Sequence, residues 1–193
     1  MLMTTELIVD KDKTALVVID LQKGIATNPD LRPHSSQEVI ANAARLVDAF
    51  HRNNMPVFLV HVIATKETAL KVIADLSFVR PTPAADWFEF VPEIAPTPSD
   101  VVITKRHWGA FYGTELDLQL RRRGIDTIIL CGVSTDYGVE STARFAYEYG
   151  YQQIFAEDAM SSRSDEQHNG AVNFIFKRIG RVRSTEEILR VLG

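Results

Sequence analysis

Residues 14–22 read Thr14-Ala15-Leu16-Val17-Val18-Ile19-Asp20-Leu21-Gln22. From Ala15 to Ile19 the run is apolar without interruption, and it stops at a carboxylate. A strand with one wet face would alternate apolar and polar residues. An unbroken run reads instead as a strand covered on both sides, the pattern of a parallel sheet with helices above and below it. Asp20 then stands at the carboxyl end of that strand.

The pattern continues outward. Over 36–53, Val39, Ile40, Ala43, Leu46, Val47 and Phe50 recur at three- and four-residue spacing with Asn42, Arg45 and Asp48 between them, which predicts an amphipathic helix. Pro56 opens a second strand over 57–63. Further strands are expected at 101–104, 127–131, about 153–156 and, briefly, 181–183. Helices are expected at 114–123, 138–149, 165–179 and from 185 onward, with Gly124, Gly150 and Gly180 closing the first three. This alternation predicts an α/β fold, a doubly wound three-layer sandwich around a mainly parallel six-stranded sheet. Residues 64–100 interrupt it: five prolines fall between Pro81 and Pro98 among acidic and aromatic residues. That stretch is too short for its own core and reads as an excursion that forms a lid or a subunit contact. The chain, 1–193, is expected to be a single domain, its 46% apolar content being enough for one core.

Composition narrows the function classes. The formal charge is −4 and the basic residues are dispersed, Arg121-Arg122-Arg123 being the nearest to a cluster, so nucleic acid is not an expected partner. Residues 1–14 lack a basic leader followed by an apolar stretch, and no apolar run approaches a membrane span, so a cytoplasmic protein without a membrane partner is expected. A single cysteine, Cys131, excludes an internal disulfide framework.

In open α/β sheets ligands bind beyond the carboxyl ends of the strands, where the strand order reverses. Three places qualify: Asp20 after the first strand, Lys105 after the third, and Gly132-Val133-Ser134-Thr135-Asp136-Tyr137-Gly138 between the fourth strand and its helix. Either charged residue alone could be a helix cap or a solvent contact. Facing one crevice, a carboxylate and an ammonium would tune each other's pKa.

These segments resemble the isochorismatase-like hydrolase superfamily. The run from Thr14 to Gln22 is similar to its opening strand and catalytic Asp. Thr104-Lys105-Arg106-His107-Trp108-Gly109-Ala110-Phe111-Tyr112-Gly113-Thr114-Glu115-Leu116 resembles its lysine segment. Cys131 to Ala143 resembles its nucleophile segment, and Ala156-Glu157-Asp158-Ala159 its next strand end. The resemblance implies strand order 3-2-1-4-5-6, so that Lys105 lies two strands, roughly 10 Å, from Asp20 and must lean back across the second strand. It also implies a cis peptide at Val133-Ser134, with the backbone amides of Ser134 and Gly138 as an oxyanion or anion site. In the cysteine hydrolases of this superfamily the nucleophile occupies the position that is Gly138 here. Cys131, in a buried strand, is expected to be an inert core thiol and not a substitute. Isochorismatases of the superfamily also lack the cysteine. Their chemistry implies that Asp20 protonates the methylene carbon of an enol ether, water traps the oxocarbenium and pyruvate leaves. Lys105 pulls the pKa of Asp20 down while burial pushes it up, and the sequence does not say which wins.

Catalytic candidates are therefore Asp20, Lys105 and the Gly138 position. For substrate binding, Trp108, Phe111 and Tyr112 follow the lysine closely enough to line a small apolar pocket, with Tyr137 opposite. Packing against a second subunit is the alternative for the same aromatics. His61, at the end of the second strand, is either a proton donor or a hydrogen-bonded wall residue, and Gln22, Leu21 and Ile25 are weaker candidates. Nicotinamidases of the superfamily hold a metal through an Asp and paired histidines after the second strand, a cluster missing here. His34, His51, His61, His107 and His168 show no ligand spacing, so neither a metal nor a cofactor is expected. Ser134, Thr135 and Ser141 are expected to be structural, since no activating histidine motif lies near them. The partner expected is a small-molecule substrate, with a homo-oligomer, dimer or tetramer, as the assembly. Three functions stay open: a hydrolase working through Asp20 and Lys105, a catalytically silent small-molecule binding or scaffold protein, and an amidase with an unconventional nucleophile.

Overall fold

A computed structural model describes residues 6–65, 69–70, 72–76 and 83–193. The described residues form one six-stranded sheet in the order β3-β2-β1-β4-β5-β6, every neighbouring pair parallel. The strands are β1 (Thr14–Ile19), β2 (Val57–Val62), β3 (Val101–Lys105), β4 (Thr127–Val133), β5 (Gln152–Ser161) and β6 (Arg181–Arg183). Every residue of β1 is buried, as its unbroken apolar run requires.

The sheet separates two cores. Leu16 and Val18 face one layer, made by α1 (Lys23–Ala26), α2 (Ser36–Arg52) and α7 (Thr185–Leu192). Ala15, Val17 and Ile19 face the other, made by α3 (Leu116–Arg122), α4 (Glu140–Glu148) and the helical stretch of α5 (Asp165–Gly170), a π-helical turn (Ala171–Phe176) and α6 (Lys177–Ile179). Side chains alternate across a strand, so one apolar run supplies both layers. In α2, Val39, Ala43, Leu46, Val47 and Phe50 are buried along one face. A capping box at Ser35 and Glu38 starts that helix, and another at Ser184 and Glu187 starts α7, each cap contributing about 1 kcal/mol.

Boundaries differ from the sequence expectation where side chains satisfy the backbone. Helix α3 begins at Leu116 and not at Thr114, because the Thr114 hydroxyl accepts from the Leu116 amide at 3.1 Å. The helix expected from Gly138 starts as a π-helical turn over Thr135–Val139 and becomes α4 at Glu140. Strand β5 runs five residues beyond Ala156, to Ser161, past a register shift against β4. Glu157 and Asp158 therefore lie inside the strand, where Asp158 Oδ1 accepts from the Thr185 amide at 2.6 Å and its hydroxyl at 2.7 Å.

Of the excursion, 66–68, 71 and 77–82 lie outside the described residues. Its later part returns over the end of β1. The amides of Lys23 and Gly24 donate to Glu89 and Trp87, the Val91 amide donates to Leu21, and Gln22 bridges Phe90 in antiparallel fashion. Lys23 also pairs with Asp86 and Glu89 at 3.2 and 2.8 Å. Segment 86–91 thus roofs the strand end that carries Asp20.

Candidate active site

Asp20 follows β1 directly, in the left-handed region at φ 52°, a conformation costing roughly 1–2 kcal/mol outside glycine. Its amide still donates to the Val60 carbonyl at 2.9 Å, so the sheet fixes the backbone on which the carboxyl is mounted. Lys105 ends β3 in register with Val62. Its side chain crosses the end of β2, and Nζ donates to Asp20 Oδ2 at 2.8 Å and to the Trp108 carbonyl at 2.5 Å. Only 5% of Asp20 and 1% of Lys105 are exposed.

The two carboxyl oxygens of Asp20 differ. Oδ2 holds the lysine, while Oδ1 is buried and has no hydrogen-bond partner among the described residues. Burial dominates the titration and pushes the carboxyl up from 3.8 to about 6, against the opposing pull of Lys105. A protonated carboxyl would turn the lone acceptor at Oδ1 into a donor.

Two glycines make the crevice. At Gly132, in register with Ile19, φ is +117° and an added Cβ would lie 2.0 Å from the Ile19 carbonyl oxygen. Only glycine lets β4 approach β1 there. At Gly138 an added Cβ would lie 3.2 Å from Asp20 Oδ2, 3.3 Å from Lys105 Nζ and 2.9 Å from Ile19 Cγ2. A side chain at this position would lie directly beside the pair, against both the acid and the lysine. Between the glycines, Val133-Ser134 is a cis peptide. The Ser134 hydroxyl donates to Asp136 Oδ1 at 2.7 Å and lies 3.0 Å from Ser162 Oγ.

The remaining candidates separate. Trp108 and Tyr137 meet edge-on with ring centroids 4.8 Å apart, on the two segments that carry Lys105 and Gly138. Phe111 belongs to the core: it is 4% exposed and packs against Tyr149 and Tyr151. Tyr112 points outward, 62% exposed against His107. His61 is a wall residue, with Nδ1 3.2 Å from the Phe88 carbonyl, Nε2 2.8 Å from Thr104 Oγ1 and its ring stacked on Phe90. Gln22 spends its amide on the fold, donating to Val62 and Trp87 carbonyls and accepting from the Val62 amide at 2.8 Å. Leu21 is core, and Ile25 packs against the same cluster.

Cys131 is fully buried, and burial pushes its thiol up to about 12. Thr135, against expectation, faces a histidine: its Oγ1 lies 3.0 Å from His168 Nδ1. Both residues are buried, which closes that hydroxyl to a substrate carbonyl. Beyond them, among the described residues, His34, Glu157 and His168 bring ligand-type atoms within 4.8 Å of one another. No spacing rule reaches this group, because it joins the loop before α2, the middle of β5 and α5.

The comparisons with known proteins agree with the fold. The isochorismatase domain matches residues 14–187. The chain is 52% identical to the uncharacterized isochorismatase family protein YwoC of Bacillus subtilis over 97% of this chain and 98% of that protein. It is also 52% identical to the uncharacterized isochorismatase family protein YecD of Escherichia coli O157:H7, over 93% and 96%. A solved isochorismatase family protein from Burkholderia thailandensis superposes with a TM-score of 0.91 at 40% identity, covering 97% of this chain and 99% of that one. This chain belongs to the isochorismatase-like hydrolase superfamily.

Proposed function

We propose that this protein hydrolyses a small molecule with Asp20 as general acid and Lys105 as its electrostatic partner, without a cysteine nucleophile, and that its substrate is an enol ether of the isochorismate type. Asp20, protonated on Oδ1, delivers that proton to the methylene carbon of the enol ether. The double-bond electrons form the new C–H bond and leave an oxocarbenium. Water adds to that carbon and gives up a proton that restores the Asp20 carboxyl, and the resulting hemiketal passes its hydroxyl proton to the leaving oxygen as it collapses to pyruvate and the free alcohol. Lys105 Nζ, already on Oδ2, stabilises the carboxylate that the transfer creates. The amides of Ser134 and Gly138 receive the substrate's anionic end, and Trp108 and Tyr137 form the apolar rim.

One observation carries this reading: the buried, unpartnered Oδ1 of an aspartate whose carboxyl is held near 6. A silent scaffold has no use for a buried charge pair with one oxygen left unsatisfied, since burying charge is costly and the same volume of apolar side chain packs as well. The glycine at 138 supports the acid route over a covalent one, because it leaves the space beside the pair without a nucleophile.

The test is pyruvate release from isochorismate by the purified protein beside its Asp20→Asn variant. Turnover in the parent and its absence from the variant is the expected result. No turnover in the parent removes isochorismate as substrate, and equal turnover in both removes Asp20 as the acid.

A further inference from the structure

His34 follows Pro33 in the loop leading to α2, Glu157 lies within β5, and His168 lies in α5. His34 Nε2 is 3.1 Å from Glu157 Oε1, and His168 Nε2 is 3.6 Å from the same oxygen. The second distance is beyond a hydrogen bond, and His168 Nε2 is buried with no hydrogen-bond partner among the described residues. Two imidazole nitrogens thus face one carboxylate oxygen, all three atoms lying within 4.8 Å of one another, and one of the nitrogens has no hydrogen bond. Nothing in the Asp20 chemistry uses them.

We propose that His34 Nε2, Glu157 Oε1 and His168 Nε2 form a binding site for one divalent transition-metal ion of the zinc type. Zinc bonds to histidine nitrogen and carboxylate oxygen are about 2.0–2.2 Å long, so tetrahedral ligands sit roughly 3.3–3.5 Å apart. The pairs at 3.1 and 3.6 Å bracket that spacing. Two histidines and one carboxylate are also a common donor set for an ion that keeps an open fourth position.

The surroundings fit a metal ligand set. His168 Nδ1, the nitrogen turned away from the group, lies 3.0 Å from Thr135 Oγ1, a bond that can fix the tautomer leaving a lone pair on Nε2. The His34 backbone is anchored by Ser161, whose hydroxyl donates to its carbonyl at 2.8 Å. Access comes from one side: the His34 and Glu157 side chains are 25% and 33% exposed, whereas His168 is at 1%. Through Thr135 the site touches the loop that carries Ser134 and Gly138. It therefore acts as a clamp on that loop.

The experiment uses the full chain, stripped of metal by chelator and titrated calorimetrically with Zn²⁺ and, separately, with Co²⁺ followed by its visible bands. One ion per chain is expected, with the intense cobalt spectrum of a four- or five-coordinate site. His34→Ala and Glu157→Gln, both at partly exposed positions, should lose more affinity than the roughly 10–100-fold that removal of a hydrogen-bond partner behind a ligand costs. Thr135→Val, which keeps the buried volume, should lose within that range. His107→Ala should bind as the parent does. Well under one ion per chain, or affinity unchanged in both His34→Ala and Glu157→Gln, overturns the proposal. Circular dichroism of each variant separates lost binding from lost folding.

Discussion

Asp20 Oδ2 accepts from Lys105 Nζ at 2.8 Å although β2 lies between the strands that carry the two residues. The lysine spans the gap because β3 ends in register with Val62, two residues beyond the Val60 carbonyl that holds the Asp20 amide. The contact leaves Oδ1 free, and the acid role proposed for Asp20 follows from that asymmetry. Asp20→Asn keeps the shape but carries no transferable acidic proton. Its turnover should fall by about 10²–10⁴-fold, the usual contribution of general acid catalysis, with little change in KM. Steady-state kinetics check this.

The raised carboxyl also sets a pH dependence of stability. The folded state holds the Asp20 proton to about 6, while the unfolded chain releases it near 3.8. Stability from this group is therefore fully present below 3.8 and is lost as pH rises through about 6, amounting to roughly 3 kcal/mol. Glu38, Glu157 and Glu187 are shifted downward and act in the opposite sense. Denaturant unfolding of the parent and Asp20→Asn across this range isolates the Asp20 share: the stability of the parent relative to the variant should fall by about that amount as pH rises through about 6.

Lys105 opposes the effect of burial on Asp20. Replacing it by methionine should raise the Asp20 carboxyl further and move the alkaline limb of the kcat/KM profile above about 6. A limb that stays in place or moves down would detach Lys105 from the titration.

The glycines give opposite mutational signatures. Gly132→Ala forces a Cβ to 2.0 Å from a backbone oxygen at φ +117°, so a loss of more than about 4 kcal/mol, or no folded protein, is expected. At Gly138 the closest atom to a new Cβ is the Ile19 methyl at 2.9 Å, and overpacking of about 1–3 kcal/mol is expected. Gly138→Ala should fold but lose activity, because its methyl presses on Asp20 Oδ2 and Lys105 Nζ. Thermal melts and activity assays together read this split.

Cys131 should resist thiol reagents in the native protein and react only on unfolding, since its thiol is buried and pushed up to about 12. Native-state labelling at the rate of the unfolded chain would contradict this.

The layered fold was legible because β1 is apolar on both faces and α2 on one, and both patterns are local. Asp20, Lys105 and Gly138 were legible as strand-end and loop residues through their resemblance to known segments. The packing of Phe111 and the hydrogen bonds of Gln22 were not legible, for one physical reason. Whether an aromatic beside a site packs inward, or an amide is consumed by a neighbouring backbone, depends on residues distant in sequence: Tyr149 and Tyr151 for the first, Val62 and Trp87 for the second. The group of His34, Glu157 and His168 was invisible for the same reason, as three separate elements supply it. The length of β5 was underestimated because two acidic residues inside it find partners across the fold.

The most direct test of the account is the protonation of the Asp20 carboxyl itself, followed by carbon-13 NMR of aspartate-labelled protein across pH and assigned by loss of the signal in Asp20→Asn. The account predicts a carboxyl that titrates near 6, protonated when the pH is lower. A carboxyl that titrates at or below its ordinary 3.8, and so remains an anion throughout, would contradict it.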